Sequence, residues 1–506
     1  MTTNDVIIIG AGLSGIGTAC QLLECFPDLD FSILEGRERM GGTWDLFRYP
    51  GIRSDSDMHT LGYHFKPWTN PKAIADGPSI LDYIKETARE HDVERRIQFQ
   101  HRLVAAAWSS TENRWTLTVE AGDAGERIEM SCRILLMCAG YFRYEHGYRP
   151  DFPGEERFAG TLVHPQVWPE DLDYADKNIV IIGSGATAVT LLPELAGTAR
   201  HVTMLQRSPT YMIAFPDEDL IANVLRKLLP DSLAYRITRW KNIRLQAFIF
   251  RLARKRPGLV RRILVGHARR MLGKEYDVDR HFNPEYNPWD QRLCLVPNDD
   301  LFETIKSGKG SVATDHIRTF TETGIELESG QVLDADIIVT ATGLDIVVLG
   351  DVEFTVDGET VDFGRCFAYK GIMMQDVPNM ISTFGYVNSS WTLRADLVAQ
   401  FTCRLLEYMR SGDHDRCTAR LRATDTDMPA RPYILGFSSG YLQRVMDRLP
   451  KQGDREPWLN PQNYLGDRER FLEAPLDDGV LSFERAGESG GQPQDKTDEA
   501  AAAFSA

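Results

Sequence analysis

Two glycine-rich stretches have the residue types and spacing that hold a dinucleotide phosphate. In the first, Gly10, Gly12 and Gly15 follow the apolar run 6–9. The first glycine allows a tight turn, the second lets a pyrophosphate approach the backbone, and the third lets a helix pack closely on the preceding strand. Glu35 lies twenty residues after Gly15, at the end of the next apolar run, where a carboxylate accepts from ribose hydroxyls. This region is therefore predicted to bind a dinucleotide.

The second stretch repeats the pattern with the opposite charge at its far end. Gly183 and Gly185 follow an apolar run, and Ala188 takes the place of the third glycine. Arg207 lies 24 positions after Gly183, and the acid of the first stretch lies 25 positions after its first glycine. A guanidinium there suits a 2′-phosphate, whereas an acid suits a free 2′-hydroxyl. We therefore predict NADPH at the second site; a surface arginine that ends a strand is the alternative.

A polar loop, 41–57, follows directly from the first nucleotide-binding unit. After paired glycines it places four charged side chains within ten residues: Arg48, Arg53, Asp55 and Asp57. Loops in such positions commonly carry function, and a polar wall of this kind suits a redox ring. The loop favours FAD at the first site, and a solvated surface turn is the alternative.

The composition limits what else the chain could be. Its 506 residues are enough for two or three domains, and its net charge of −16 argues against a nucleic-acid-binding protein. Eight scattered cysteines without a CxxC pair favour reduced thiols over a disulfide framework or a zinc site. The N-terminus lacks the pattern of a signal sequence, and no run approaches the roughly 18 apolar residues of a membrane span. We expect a cytoplasmic enzyme.

Strands and helices must bring these loops together. Apolar runs that end in small residues, at 134–141 and 336–343, are typical of strands that complete nucleotide-binding sheets, although an ordinary core strand explains their apolar part equally well. We predict an α/β fold with two Rossmann-like dinucleotide-binding domains, for FAD and NADPH, and a helical insert. The predicted parts are the FAD domain at 1–141 and 345–484, the linker and NADPH domain at 142–216 and 287–344, the insert at 217–286 and a disordered tail at 485–506.

The insert is basic and amphipathic. Between Ile221 and Lys274 it has fifteen Lys or Arg and a single acid, Asp231, with apolar residues at helical spacing. Solvated helices packed on the core are the simpler interpretation. A basic surface beside acidic lipid, giving peripheral membrane contact, is the alternative.

The stretch 158–169 lies between the two nucleotide loops, where two bound cofactors must be aligned. Phe158, Gly160, His164, Trp168 and Pro169 match every fixed position of the Baeyer–Villiger monooxygenase fingerprint FxGxxxHxxxWP. A second signature of that family matches at Gly41, Gly42, Trp44, Tyr49, Pro50, Gly51 and Asp55. The chain therefore resembles the type I Baeyer–Villiger flavin monooxygenases over nearly its whole length, and within them the ethionamide-activating monooxygenase group.

The resemblance implies a reaction and the residues that perform it. NADPH reduces FAD, O2 is captured as a C4a-peroxyflavin, and the peroxide attacks a ketone to give an ester or lactone, with sulfoxidation or thioamide oxidation as a side activity. Arg292 is placed beside the developing negative charge, with Asp55 orienting it and Arg53 against the nicotinamide nucleotide. Gln291 is a departure, since many family members have Lys there, and it leaves Arg207 with more of the 2′-phosphate. We expect His164 to be structural.

The site prediction covers both cofactors and no metal. Its catalytic residues are Arg292 and Asp55. Its cofactor-binding residues are Gly10, Gly12, Ser14, Gly15, Glu35, Gly42, Thr43, Trp44, Asp45, Leu46, Arg53, Asp55, Val104, Gly183, Ser184, Gly185, Ala186, Thr187, Ala188, Val189, Arg207 and Ser208. The expected partners are O2 and a small ketone or sulfide. An enzyme that is mainly an S- or N-oxygenase and a non-catalytic flavin-bound redox sensor are the alternatives, and Trp391 either lines the substrate pocket or packs.

Overall fold

The computed structural model describes residues 2–485, so the predicted tail lies outside the described residues from 486 onward. The strands are β1 (Thr2–Ile9), β2 (Phe31–Glu35), β3 (Ile97–Phe99), β4 (His101–Ser109), β5 (Arg114–Ala121), β6 (Glu126–Met137), β7 (Thr161–Val163), β8 (Asn178–Ile182), β9 (His201–Gln206), β10 (Met212–Phe215), β11 (Cys294–Pro297), β12 (Gly310–Thr314), β13 (Ile317–Thr321), β14 (Gly324–Leu327), β15 (Val332–Asp334), β16 (Ile337–Thr340), β17 (Glu353–Val356), β18 (Glu359–Thr360), β19 (Ala368–Tyr369), β20 (Met373–Met374), β21 (Met380–Ser382), β22 (Arg416–Ala419), β23 (Arg431–Pro432), β24 (Lys451–Gln452) and β25 (Leu481–Glu484). The α-helices are α1 (Leu13–Cys25), α2 (Thr43–Leu46), α3 (Met58–Leu61), α4 (Gly77–Glu90), α5 (Ala186–Leu195), α6 (Leu220–Leu228), α7 (Asp231–Lys255), α8 (Pro257–Leu272), α9 (Val278–Phe282), α10 (Asp300–Lys306), α11 (Trp391–Ser411), α12 (Gly440–Gln443) and α13 (Tyr464–Leu472).

The first sheet carries the first glycine-rich loop. Its apolar strand β1 lies between β2 and β6 and runs parallel to both. β3 extends the sheet in parallel beyond β2, whereas β4 and β5 pair antiparallel, as do β5 and β6. Three strands from much later in the chain complete it, because β17 pairs with β4, β18 with β17, and β21 with β6. The first sheet is therefore built from two separate parts of the chain.

The second sheet carries the second glycine-rich loop. Its five strands are all parallel and lie in the order β12, β9, β8, β16, β7. Residues 179–182 of β8 and all four residues of β16 are buried, as expected for strands covered on both faces. The α/β class and the two predicted glycine-loop strands are thus confirmed, and each loop leaves the carboxyl end of its strand.

A helical insert, α6 to α9, lies between β10 and β11, which pair in parallel at its base. α7 is anchored by Arg239, which forms a 2.8 Å ion pair with Asp396 of α11 and donates to the carbonyl of Gly62 at 2.7 Å. The hydroxyl of Tyr235 donates to the carbonyl of Tyr63 at 2.8 Å. Among the described residues, no helix is long and apolar enough to cross a bilayer.

The stretch 158–169 contains two prolines, which disfavour a continuous helix. It contributes the edge strand β7, and a single 3-10 turn follows at Pro165–Val167. The long helix α11 begins at Trp391 and ends at Ser411. Trp391 therefore belongs to the first turn of the helix rather than to the loop before it.

Candidate active site

A cavity of about 1100 Å³ lies where the two sheets meet. Its walls come from both glycine-rich loops, from the polar loop 41–57 and from the loop that contains Arg292. In open parallel sheets, ligands bind outside the carboxyl ends of the strands, which is where both glycine-rich loops lie. The cavity therefore places the two predicted nucleotide sites against one common space.

The first glycine-rich loop forms a close-packed backbone cradle. Gly10 has a φ of +100°, and a Cβ there would lie 2.7 Å from the carbonyl oxygen of Cys138. A Cβ on Gly15 would lie 1.9 Å from the carbonyl oxygen of Gly10, while one on Gly12 would approach only Gly42, at 3.5 Å. Gly15 is thus required by the turn itself, and Gly10 by its positive φ and by the segment that follows β6. Gly12 faces the cavity at the start of α1, where a pyrophosphate can reach free backbone N–H groups.

Glu35 ends β2 and faces the cavity from a buried position. Its carboxylate accepts from the backbone N–H of Ala11 at 2.9 Å and from that of Arg37 at 3.0 Å. Burial raises the pKa of this carboxyl, against the effect of these two hydrogen bonds. Each oxygen retains acceptor capacity, so the residue fits the ribose hydroxyls of a dinucleotide held by the first loop.

The loop 41–57 divides into residues that face the cavity and one buried anchor. Gly42, Thr43 and Trp44 line the cavity. The carboxylate of Asp45 instead points into a cluster of three arginines: Arg37 at 2.8 Å, Arg39 at 3.2 Å and Arg48 at 3.4 Å. Asp45 thereby fixes the loop that presents its neighbours.

The second glycine-rich loop is shaped like the first but has more open space. Gly183 has a φ of +142°, and a Cβ there would lie 2.3 Å from the carbonyl oxygen of Ala341. A Cβ on Gly185 would meet nothing within 4 Å, because the residue faces the cavity at the N-terminus of α5. The Ser184 hydroxyl lies 2.8 Å from the Thr210 hydroxyl. The loop therefore leaves room for a phosphate beside Gly185.

Arg207 follows β9 and lines the cavity together with Ser208. Its side chain is exposed and forms no hydrogen bond or ion pair with any residue between 2 and 485. A free guanidinium at this position fits a 2′-phosphate. The charges at the two strand ends, a held carboxylate at β2 and an unpaired cation at β9, therefore fit two different nucleotides.

The predicted catalytic pair is brought together in the cavity wall. Arg292 Nη2 lies 2.8 Å from Asp55 Oδ2, and 32% of the arginine side chain is exposed. Burial acts to lower the pKa of Arg292, but the charge of Asp55 and the nearby hydroxyls of Tyr441 and Tyr141 raise it overall. Arg292 is therefore a permanent cation whose guanidinium is oriented by one carboxylate.

A second arginine from the polar loop bridges the two halves of the cavity. Arg53 Nη1 donates to Asp300 Oδ2 at 2.5 Å, and Asp300 begins α10, next to the second sheet. Its other terminal nitrogen, Nη2, is buried without a hydrogen-bond partner among the described residues. Asp300 was missed in the sequence because it lies in an ordinary acidic helix start.

An aromatic wall lies near the predicted catalytic pair. Tyr141 stacks on Trp391 with ring centroids 5.0 Å apart, and the Trp391 indole N–H donates to Ser14 Oγ at 2.7 Å. Trp391, Tyr141 and Tyr441 all line the cavity, so Trp391 both packs and lines it. In the sequence, the run 134–141 was predicted only to complete a nucleotide-binding sheet, and neither Tyr141 nor Tyr441 was identified as part of an aromatic wall.

Some predicted cofactor residues do not touch the cavity. Val104 lies in β4 at a shift of its register with β5 and is not among the residues that line the cavity. Ala188 and Val189 are buried in α5. The predicted residues outside the lining are Gly15, Asp45, Leu46, Val104, Ala188 and Val189.

The stretch 158–169 supports the second sheet without facing the cavity. His164 Nδ1 accepts from the backbone N–H of Gln166 at 3.2 Å, and burial lowers the pKa of its imidazole. A Cβ on Gly147 would lie 2.0 Å from the His164 ring, so the ring is closely packed. A neutral, packed imidazole agrees with the structural role expected for His164.

Three comparisons place the chain among known proteins. The profile of the family described as flavin-binding monooxygenase-like matches residues 3–356. The FAD-containing monooxygenase EthA of Mycobacterium tuberculosis (strain ATCC 25618 / H37Rv) is 52% identical over 480 residues, which cover 95% of this chain and 97% of EthA. The probable FAD-binding monooxygenase AlmA of Acinetobacter baylyi is 47% identical over 483 residues, covering 95% and 96%.

Solved structures share the fold at low sequence identity. A steroid monooxygenase bound to NADP matches with a TM-score of 0.76 at 21% identity, covering 96% of this chain and 100% of that one. A cyclohexanone monooxygenase bound to ε-caprolactone matches with a TM-score of 0.72 at 19% identity, covering the same shares. The two-sheet arrangement is thus found in other monooxygenases.

Proposed function

Because the chain belongs to the flavin-binding monooxygenase-like family, we propose that it is an FAD- and NADPH-dependent Baeyer–Villiger monooxygenase. Family membership makes it a flavin-dependent monooxygenase that uses O2 and a small-molecule substrate. The finer assignment rests on one observation, the Arg292–Asp55 ion pair in the wall of a cavity that both glycine-rich loops face. The proposed reaction converts a ketone, O2, NADPH and a proton into an ester or lactone, NADP⁺ and water.

The residues that line the cavity favour the binding of one cofactor at each glycine-rich loop. FAD would lie at the first loop, with Gly12 against its pyrophosphate and Glu35 accepting from its ribose. NADPH would lie at the second loop, with Gly185 open to its pyrophosphate and Arg207 free for its 2′-phosphate. The relatives named above as FAD-containing, and the structural neighbour bound to NADP, support this assignment. When bound, the flavin supplies the electrons of NADPH to O2.

The chain's own residues would stabilise charge and exclude water. Arg292 holds a fixed positive charge where oxygen atoms become anionic during attack on the ketone, and such preorganised charge lowers the barrier most in a water-poor site. Asp55 keeps the guanidinium in one orientation through the 2.8 Å contact. The stacked Tyr141 and Trp391 close the wall behind the reacting atoms. Arg53, with its unpartnered Nη2, is available to a polar group of the nicotinamide nucleotide.

Product analysis with isotopically labelled O2 tests the proposal. Purified enzyme would be supplied with NADPH and, separately, a cyclic or linear ketone and a sulfide. The expected result is an ester or lactone with one labelled oxygen atom for each NADPH oxidised. A sulfoxide or N-oxide without any ester would instead indicate an S- or N-oxygenase. Unchanged NADPH consumption with every candidate substrate would indicate a redox sensor.

A further inference from the structure

The insert exposes apolar side chains to solvent along three helices. Trp240 and Phe248 of α7 are exposed by 60% and 57%, and Leu228 of α6 by 74%. We define the insert face by its exposed apolar residues: Leu220, Ile221, Val224, Leu228, Leu233, Ile237, Trp240, Leu245, Phe248, Leu259 and Ile263. α6 packs on α7 and α7 on α8, so these residues belong to one layer of helices. Exposed apolar side chains concentrated in one segment mark an interaction site.

The insert face cannot turn inward, because the opposite side of α7 is fixed. Tyr235, Arg239 and Ile243 are buried on that side. The ion pair of Arg239 with Asp396 and the hydrogen bond from Tyr235 to the backbone of Tyr63 hold α7 against the first sheet's half of the molecule. The apolar residues are therefore exposed by the fold itself.

Basic side chains interleave with the apolar ones. Arg236, Arg244 and Arg251 are exposed on α7, and the Arg244 guanidinium lies 4.5 Å from the centre of the Trp240 ring. None of these three forms an ion pair within the described part of the chain, and the helices of the insert have a large surplus of basic over acidic residues in a chain of net charge −16. The insert face is thus an apolar surface with a local positive charge.

This composition fits one kind of partner. Helices that lie in a membrane interface combine Trp, Phe and Leu with Lys and Arg, and they bind acidic lipid through both. Protein interfaces also contain many aromatic residues and arginines, but their cores are depleted of charged residues as a class, whereas here arginines interleave with the apolar residues along α7. We propose that the insert face docks the enzyme onto the surface of an anionic phospholipid bilayer.

Docking would also place the cavity near the bilayer. Gln246 of α7 accepts from the hydroxyl of Ser389 at 3.0 Å, and Ser389 lines the cavity. Near the end of the helix, Arg254 forms a 2.6 Å ion pair with Asp290, two residues before Arg292. The same helix therefore carries the insert face and contacts the cavity wall. This placement, together with the proposed function on which the inference rests, identifies the substrate class as lipophilic ketones that partition into membranes.

Co-sedimentation with vesicles tests the docking. The full-length holoenzyme would be mixed with vesicles of phosphatidylcholine containing about one-third phosphatidylserine, and with pure phosphatidylcholine vesicles as the neutral comparison. We expect binding to the anionic vesicles, little binding to the neutral ones, and weaker binding at high salt. R236E/R244E and W240S/F248S should each weaken binding by at least about tenfold.

Matched variants outside the insert control for charge and apolar surface. K309E/R365E reverses two exposed cations, and V332S/L465S removes two exposed apolar side chains. Both should bind anionic vesicles as the wild type does. Equal binding of the wild type to neutral and anionic vesicles would overturn the proposal, as would unchanged binding of both insert variants. Self-association that W240S/F248S abolishes, without vesicle binding, would instead assign the insert face to a second copy of the chain.

A kinetic comparison separates docking from the proposed function. With a long-chain ketone dissolved in anionic vesicles, R236E/R244E should have a kcat/KM at least about tenfold below that of the wild type, whereas a short water-soluble ketone should react equally with both. Vesicle binding without ketone oxidation would reject the proposed function and leave the docking. Ketone oxidation in solution without vesicle binding would reject only the docking. Equal loss with both ketones would mean that the insert acts on the fold and not at a membrane.

Discussion

Three arginines that line the cavity differ in whether a carboxylate pairs with their side chain. Arg292 is held by Asp55, Arg53 by Asp300, and Arg207 by no described residue. A paired guanidinium keeps one orientation, which suits a charge that must be in place before the reaction. An unpaired one is available to a ligand's phosphate. The pairing therefore agrees with the different roles proposed for these arginines.

Replacing Arg292 should separate reduction from oxygenation. In R292A, NADPH should still bleach the flavin, because the residue belongs to the wall near Asp55 and not to either glycine-rich loop. Ester formation should fall by about a hundredfold or more, since a preorganised charge beside the developing anion is lost. Stopped-flow absorbance and product analysis measure the two steps. R292K, which keeps the charge without the planar fork, should be intermediate; slow reduction with intact oxygenation would reverse the assigned role.

Replacing Arg207 should lower the preference for NADPH over NADH. The R207A change removes a charge-assisted contact of roughly 1.5–3 kcal/mol, which corresponds to about 10- to 150-fold in the ratio of kcat/KM values. Steady-state kinetics with both nucleotides check this. The kcat/KM for NADH should change little, because NADH has no 2′-phosphate. An unchanged ratio would mean that another cation recognises the phosphate.

At the scale of elements, the glycine-rich loops show what sequence can and cannot predict. Strand, turn and helix around Gly10 and around Gly183 follow from local spacing, because the tight turn itself gives each glycine its positive φ. The carbonyl groups that lie close to them, of Cys138 and Ala341, come from distant parts of the chain. The pairing of Arg53 with Asp300 does not, since it joins positions 247 apart and depends on how the sheets are arranged. Val104 and Asp45 were predicted to bind cofactor and are not among the residues that line the cavity: Val104 lies in β4, and Asp45 lies in an arginine cluster.

Two glycines of one loop should respond differently to the same substitution. G185A adds a methyl group that meets no protein atom within 4 Å, so the thermal midpoint should stay near that of the wild type while the KM for NADPH rises. G183A adds a methyl group that would lie 2.3 Å from the Ala341 carbonyl oxygen, at a residue whose φ is +142°. This change should therefore lower the thermal midpoint as well. Differential scanning fluorimetry and steady-state kinetics distinguish the two effects. A normal KM for G185A would place the pyrophosphate elsewhere.

At the scale of the whole molecule, buried charge makes stability depend on pH. Lys370 is buried, its ammonium donates to the carbonyl of Arg470 at 2.8 Å, and burial lowers its pKa from 10.5 to about 8. Below about pH 8 the side chain is charged in both the folded and unfolded states. Between about 8 and 10.5 the unfolded state keeps a proton that the folded state has lost, so the free energy of unfolding rises with pH there.

A comparison with K370M isolates this effect. As pH rises from about 8 to about 10.5, the wild type should gain up to about 3 kcal/mol relative to the variant, because methionine does not titrate. Thermal midpoints of both proteins across this range measure the difference, since other titrating groups are common to both. Parallel curves would show that Lys370 keeps its ordinary pKa in the folded protein.

Each of the two sheets contains strands that are far apart in the sequence, which has a consequence for the order of folding during synthesis. β16 lies between β7 and β8 in the second sheet, so β7 has no neighbouring strand to pair with until residue 340 has left the ribosome. The first sheet, although it begins the chain, waits longer still, because β21 at Met380–Ser382 must pair with β6. The nucleotide loop made first is therefore completed last. A nascent chain shorter than about two-thirds of its final length exposes unpaired strands from both sheets, and its dependence on chaperones should be greatest there.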